Sequence, residues 1–133
     1  MILVDANILM YAAGAAHPNK APSIRFLEAV AEGTIDAALD AETLQEILHR
    51  YRHLDRWAEG HKLYNLARQI FSTILPITAE VLDTAVPILD SDPTFMARDA
   101  LHAAAVKVHS MESICSYDRD FDRVKGLRRI EPQ

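Results

Sequence analysis

Directly behind Met1, the three large apolar residues Ile2, Leu3 and Val4 run into the acid Asp5. The run has no polar alternation, so it predicts a strand buried on both faces, as in a parallel sheet. An acid at the carboxyl end of such a strand lies where open α/β sheets bind their ligands. A single acid at a strand end is more often a turn residue or a helix cap. We therefore expect Asp5 to anchor a metal site only together with acids from later in the chain.

Length and charge narrow the classes of protein that fit. The 133 residues predict a single domain spanning residues 1–133. With 14 basic and 19 acidic residues the net charge is −5, which argues against binding nucleic acid through net positive charge alone. It does not exclude a nucleic-acid enzyme whose acids bind cations. The lone Cys115 cannot form an internal disulfide. Because neither a signal peptide nor a membrane-length apolar segment is evident, we expect a cytoplasmic protein.

Short apolar segments alternate with helical patterns along the chain. Apolar residues keep helical spacing most clearly at 41–53, which Asp40 can cap, and at 57–74. Further helices are expected at 8–12, 22–33, 78–89 and 97–109, with Pro87 bending or shortening the third of these. Short strands are expected at 2–4, 35–39, 75–77, 113–116 and 127–130. The alternation predicts an α/β sandwich around a mostly parallel sheet of about five strands.

A few acids stand out from the many by their context. They follow predicted strands or lie on predicted helices, and they are Asp5, Glu42, Glu46, Asp99, Asp118, Asp120 and Asp122. Carboxylates gathered at neighbouring strand ends would repel one another, and a divalent cation removes that penalty. Oxygen ligands select Mg²⁺ or Mn²⁺, which suggests hydrolysis of a phosphodiester. Glu42 and Glu46 lie off the apolar stripe of their helix, so periodicity predicts a solvated face and does not choose between them.

Four fragments, in this order, resemble a PIN-domain ribonuclease, and most closely the small VapC-type toxins of toxin–antitoxin pairs. They are residues 2–7 (ILVDAN), 41–48 (AETLQEIL), 98–105 (RDALHAAA) and 116–122 (SYDRDFD). The resemblance covers nearly the whole chain. It implies a PIN-like α/β/α sandwich, a groove that binds Mg²⁺ or Mn²⁺, and RNA as the substrate. It also implies a homodimer and an antitoxin whose C-terminal segment lies in the acidic groove.

The resemblance also assigns individual residues by motif position. The catalytic acids would be Asp5, Glu46, Asp99 and Asp118, so Glu46 is chosen over Glu42. Asp5, Asp99 and Asp118 would bind the metal, with Asp122 as an outer or second-metal ligand. Asn7 and Ser116 match polar positions that would orient the acids or water.

Two other functions compete with the nuclease. One is a phosphoacceptor receiver domain, although that fold needs an adjacent acidic pair after its first strand, where this chain has Ala6 and Asn7 after Asp5. The other is a non-catalytic binding module with an acidic groove. A zinc site at His49 and His53 has suitable helical spacing, but no third ligand is evident.

Overall fold

A five-stranded parallel sheet lies at the centre of the structure, a computed structural model that describes residues 1–133. Its strands are β1 (Ile2–Val4), β2 (Ala37–Asp40), β3 (Ile74–Leu75), β4 (Ser113–Cys115) and β5 (Arg129–Ile130). They are ordered β3-β2-β1-β4-β5, and every neighbouring pair is parallel. Strand order reverses at β1, which pairs with β4 through Val4 and Cys115. The carboxyl ends of β1 and β4 are therefore adjacent, as the sequence predicts.

Helices cover both faces of the sheet. They are α1 (Ala6–Ala13), α2 (Lys20–Ala31), α3 (Ala41–His53), α4 (Trp57–Ile70), α5 (Ala79–Ser91) and α6 (Ala97–Val108), with a short 3₁₀ helix at Arg119–Arg123. One apolar cluster joins the sheet to α1–α4, and a second joins it to α5 and α6. The predicted α/β/α sandwich is confirmed. None of the six helices combines the length and the apolarity needed to cross a membrane.

The central strands are buried on both faces because their side chains alternate between the two clusters. Leu3 and Ile114 lie in the cluster with α5 and α6, while Val4 and Cys115 lie in the cluster with α1–α4. This explains why the run behind Met1 has no polar residue. Burial raises the pKa of the Cys115 thiol to about 12, which agrees with a packing role.

Helices α1 and α2 each begin two residues before their predicted starts at residues 8 and 22. Two further differences concern α4 and α5. Helix α4 ends at Ile70 rather than at residue 74, because Phe71 leaves helical geometry and Ile74 pairs with Leu39 in the sheet. Pro87 does not end α5, which continues to Ser91. Pro87 lies on the exposed side of the helix, so water can satisfy the carbonyl that loses its partner.

Helix α3 matches its predicted bounds. Asp40 is its N-cap, and Oδ1 of Asp40 accepts a 2.9 Å hydrogen bond from the backbone N–H of Thr43. Because β2 runs into α3 with no loop between them, the helix begins at the carboxyl edge of the sheet. The side chains of its inner face therefore point toward the ends of β1 and β4.

Candidate active site

Asp5 follows the last residue of β1 and precedes α1, so its position is fixed by the sheet on one side and a helix on the other. Its backbone N–H donates to the carbonyl of Cys115, which extends the pairing of β1 with β4 by one bond. Only 7% of Asp5 is exposed. Burial raises the pKa of this carboxyl above its usual value, although the charge of His102 and a hydrogen bond from Ser116 oppose the shift.

Asn7 and Ser116 hold the Asp5 carboxylate from two directions. The Ser116 hydroxyl donates to Oδ2 of Asp5 at 2.6 Å, and Nδ2 of Asn7 donates to the same oxygen at 3.1 Å. The Ser116 oxygen in turn accepts from Nδ2 of Asn7 and from the backbone N–H of Asp118, both at 3.0 Å. The network therefore ties the Asp5 carboxylate to the start of the segment that carries Asp118.

Asp99 lies in the first turn of α6, close to the acids that follow β4. Oxygens of Asp99, Asp118 and Asp120 lie within 4.8 Å of one another. Burial, followed by the negative charges of Asp5 and Asp118, raises the pKa of Asp99 to about 6. The charge of Asp99 therefore interacts with those of Asp5 and Asp118, two of the other predicted metal ligands.

Glu46 lies on α3 but not on a solvated face, contrary to what the periodicity predicts. Only 13% of its side chain is exposed, because α6 covers this side of α3. Its Oε1 lies 3.2 Å from Nε2 of His102 and 3.8 Å from Nε of Arg98, both on α6. Glu42 also lines the groove, and its pKa is raised by burial and by the charge of Glu46.

His102 is completely buried between two carboxylates. Its Nδ1 lies 2.6 Å from Oδ2 of Asp40, its Nε2 contacts Glu46, and Oδ1 of Asp5 is 4.0 Å away. Burial alone would lower the pKa of His102, but the charge of Asp40 and the hydrogen bonds to Asp40 and Glu46 raise it well above its usual value. The raised pKa favours the protonated imidazole, in which both ring nitrogens donate to carboxylates.

These side chains open into one groove with a volume of about 360 Å³. Its lining includes acids from each part of the site and basic or imidazole side chains at the rim, namely Asp5, Asn7, Glu42, Glu46, His49, Arg50, His53, Arg98, Asp99 and Asp118. The rings of His49 and His53 stack at 6.4 Å, and no acid joins them to form a metal-binding group. Sequence reasoning left the position of these histidines open, and the structure places both at the rim.

Asp122 does not line the groove, which argues against the prediction that it is an outer or second-metal ligand. Its oxygens accept hydrogen bonds from Nε of Arg129 at 2.9 Å and from Nη2 at 3.3 Å. Its side chain is 55% exposed. The structure brings together two groups of side chains that could hold a metal ion, Asp5–Glu46–His102 and Asp99–Asp118–Asp120, and Asp122 belongs to neither. The 3₁₀ turn sends alternate side chains in different directions, so Asp120 rather than Asp122 lies with Asp99 and Asp118.

The sequence of the whole chain agrees with this geometry. A profile of the PIN domain matches residues 2–127. The chain belongs to the PIN-domain family. Among its relatives, the ribonuclease VapC13 of Mycobacterium tuberculosis is 38% identical over 130 residues, which cover 98% of this chain and 99% of VapC13. VapC23 of the same organism is 32% identical over 118 residues, 89% of this chain and 93% of the relative.

Solved structures of low sequence identity share the PIN fold. VapC20 of M. tuberculosis, a toxin that cleaves the sarcin–ricin loop, aligns with a TM-score of 0.78 at 14% identity, over 99% of this chain and 100% of VapC20. VapBC2 of Rickettsia felis, solved with a DNA fragment from its promoter, aligns with a TM-score of 0.77 at 15% identity, over 100% of both chains. Membership of the PIN family removes the receiver domain as an interpretation.

The PIN-family groove of this chain fits a divalent cation. Its acids are carboxylates, the hard oxygen ligands that Mg²⁺ and Mn²⁺ prefer. The raised pKa of Asp99 records the cost of bringing buried negative charges together. A bound cation would lower that cost, since it supplies the positive charge that the carboxylates lack.

The sequence does not predict Asp40 and His102 as residues of the site. The sequence predicts Asp40 only as a helix cap. For His102, one turn after Asp99, it predicts either a buried, hydrogen-bonded histidine or a side chain that touches the groove. His102 comes three residues after Asp99 and so lies on the same side of α6, which is the only sequence signal that connects it to the acids. Nothing in the local sequence indicates that Asp40 and His102 meet.

Proposed function

We propose that this protein is a metal-dependent endoribonuclease that hydrolyses RNA phosphodiester bonds and is the toxin of a toxin–antitoxin pair. The observation that carries the proposal is the convergence of Asp5, Glu46, Asp99 and Asp118 on one groove. Similarity to VapC ribonucleases over nearly the full length of the chain supports RNA as the substrate.

Asp5, Asp99 and Asp118 would hold the cation, and we propose Mg²⁺ or Mn²⁺. The three carboxylates come from the end of β1, the first turn of α6 and the segment after β4. Asp5 is fixed by Ser116 and Asn7, so it needs little rearrangement to bind an ion. Asp120 lies near Asp99 and Asp118 and is available as an additional ligand, although Arg123 contacts one of its oxygens at 3.0 Å.

When bound, a divalent cation would polarise a phosphoryl oxygen and lower the pKa of a nearby water. Glu46 lines the groove and is held by α6, so we propose that it orients the attacking water. Arg50 and Arg98 line the same groove and would contact phosphates on either side of the cleaved bond. Attack by water predicts products with a 5′-phosphate and a 3′-hydroxyl.

The direct test uses structured RNAs incubated with the protein and Mg²⁺ or Mn²⁺, with and without chelator. We expect cuts that the chelator abolishes and that are absent with the folded Asp99→Asn variant. Asp90→Asn, at an exposed position of α5, is the matched control and should cleave normally. Full cleavage by folded Asp99→Asn would refute the site, and a lack of cleavage of any RNA would favour the non-catalytic binding module.

We also propose an antitoxin as the protein's partner. A second groove, between α1, α2 and α4, has a volume of about 320 Å³, and nine of its ten lining residues are hydrophobic. Such a surface fits an apolar segment of the antitoxin, separate from the C-terminal segment that the resemblance places in the acidic groove. Leu66 lines it and is 44% exposed. We expect Leu66→Asp to weaken co-purification with the antitoxin and to leave RNA cleavage intact.

The control for that experiment is Leu82→Asp, because Leu82 is similarly exposed on α5. Equal antitoxin binding by Leu66→Asp and the native protein would contradict this docking surface.

We further propose a homodimer in the cytoplasm. Light scattering of the purified protein should give twice the 14.9 kDa chain mass, and a monomer would contradict the dimer.

A further inference from the structure

The buried Asp40–His102 pair lies on the interior side of Glu46, and His102 contacts the Glu46 carboxylate from that side. Asp40 uses both carboxylate oxygens, Oδ1 to cap α3 through Thr43 and Oδ2 to bind Nδ1 of His102. The other nitrogen of His102 reaches Oε1 of Glu46 at 3.2 Å. Both Asp40 and His102 are fully buried, so neither can contact RNA directly.

Stability alone does not account for this arrangement. Replacing buried ionic groups by apolar side chains of similar volume is often neutral or stabilising. The apolar residues of α3 and of α6 lie in two different core clusters, so the Asp40–His102 and Glu46–His102 contacts join these two helices by polar groups. What an imidazole between two carboxylates provides, and a leucine cannot, is a fixed direction for each carboxylate.

Resting on the proposed function, we propose that the Asp40–His102 pair is a positioning device that holds the Glu46 carboxylate in its working orientation. Asp40 fixes the ring of His102, and Nε2 of His102 fixes Oε1 of Glu46. The Nε2 atom of His102 also lies in a group with oxygens of Asp5 and Glu46 that could hold a metal ion. Because both nitrogens of His102 already face carboxylate oxygens, His102 in this proposal acts through Glu46 and not as a ligand. The pair also connects the N-terminus of α3, through Asp40, to α6, through His102. It therefore keeps the distance between Glu46 on α3 and Asp99 on α6 constant.

Two substitutions of His102 separate its two hydrogen bonds. The amide nitrogen of Asn lies near the position of Nδ1, so His102→Asn can still donate to Asp40 but cannot reach Glu46. The amide nitrogen of Gln lies near the position of Nε2, so His102→Gln can still donate to Glu46. His109→Gln is the matched control, because His109 is two turns further along the chain and its Nε2 has no partner.

The experiment combines crystal structures of the metal-free variants with kinetics on a cleaved RNA. In His102→Asn we expect the Glu46 carboxylate to leave its position while α3 and α6 stay in place. We expect kcat to fall roughly 10–100-fold with KM within about twofold of the native value. His102→Gln should restore most of kcat and the position of Glu46, and His109→Gln should change neither.

Three results would overturn the positioning role. One is a Glu46 carboxylate that stays in place in His102→Asn. The second is a displaced Glu46 with unchanged kcat. The third is an equal loss in His102→Asn and His102→Gln, which would indicate a purely structural residue or a ligand. Because the crystallographic readout needs no RNA cleavage, it decides the placement of Glu46 even if the native protein cleaves no RNA, a result that would contradict the proposed function instead.

Discussion

The hydroxyl of Ser116 donates a 2.6 Å hydrogen bond to Oδ2 of Asp5 and so joins two side chains that are 111 residues apart in the chain. The hydroxyl oxygen of Ser116 also accepts a hydrogen bond from the backbone N–H of Asp118. One small side chain therefore connects the acid after β1 to the acids after β4, at the point where strand order reverses. The geometry of the proposed metal site depends on this contact.

Replacing Ser116 by Ala should impair the enzyme more than the fold. The change leaves Asp5 without its shortest hydrogen bond and removes the acceptor for the Asp118 N–H, so both carboxylates lose their fixed positions. We expect cleavage to fall roughly 10–100-fold and the free energy of unfolding to drop by about 1–3 kcal/mol. Ser113→Ala, at a buried position of β4, the strand that ends just before Ser116, is the control. Native activity of folded Ser116→Ala would contradict this role.

The charge of Asp99 should make the metal-free protein less stable as the pH rises. Because burial and neighbouring acids raise the folded-state pKa from 3.8 to about 6, the folded state binds more protons than the unfolded state between these values. Stability therefore falls through that window and the penalty is complete above it. Asp99→Asn removes the penalty, so its Tm should exceed the native Tm at pH 7 and approach it below pH 4. A Tm difference that is independent of pH would contradict this account.

Asp122→Asn should keep native cleavage. The carboxylate pairs with Arg129 outside the groove, so we expect kcat within about twofold of the native value. Asp118 lies four residues earlier in the chain and lines the groove, so Asp118→Asn should abolish cleavage. The measurement is cleavage of one RNA at saturating Mn²⁺ by the two folded variants. A loss of ten-fold or more in Asp122→Asn would restore Asp122 to the site.

Much of the architecture follows from the sequence because it rests on local patterns. The apolar run behind Met1, the cap at Asp40 and the spacing of α3 each use residues close together in the chain. Glu46 shows where such reasoning fails: its helix looks solvated on that face, and only the approach of α6 buries it. The resemblance to PIN-domain proteins chose Glu46 over Glu42, a choice that periodicity could not make.

Two contacts between distant residues, Asp40 with His102 and Asp122 with Arg129, could not be predicted from the sequence. Asp40 and His102 are 62 residues apart, and neither has an unusual local context. Asp122 and Asp120 are distinguished only by the direction in which a short 3₁₀ turn points them and by the presence of Arg129. These details depend on tertiary packing, which propensity and spacing do not record.

Gly60 of α4 packs tightly against α3, the helix that carries Glu46. A Cβ at this position of α4 would lie 2.4 Å from Cβ of Tyr51 on α3, the helix that carries Glu46. Gly60→Ala should therefore lower the free energy of unfolding by about 1–3 kcal/mol, despite the higher helix propensity of alanine. Asn65→Ala, on an exposed side of α4, is the control. Urea unfolding measures both, and a Gly60→Ala protein as stable as the native one would show that the two helices are not in tight contact.

The chemistry of the RNA ends tests the central claim most directly. If water activated in the acidic groove attacks the phosphorus, every cut should leave a 5′-phosphate and a 3′-hydroxyl, and chelator should abolish the cuts. Mass spectrometry of the products of a short RNA distinguishes these ends from a 2′,3′-cyclic phosphate with a 5′-hydroxyl. Products that carry a 2′,3′-cyclic phosphate would mean attack by the ribose hydroxyl and would contradict the metal-dependent mechanism proposed for Asp5, Glu46, Asp99 and Asp118.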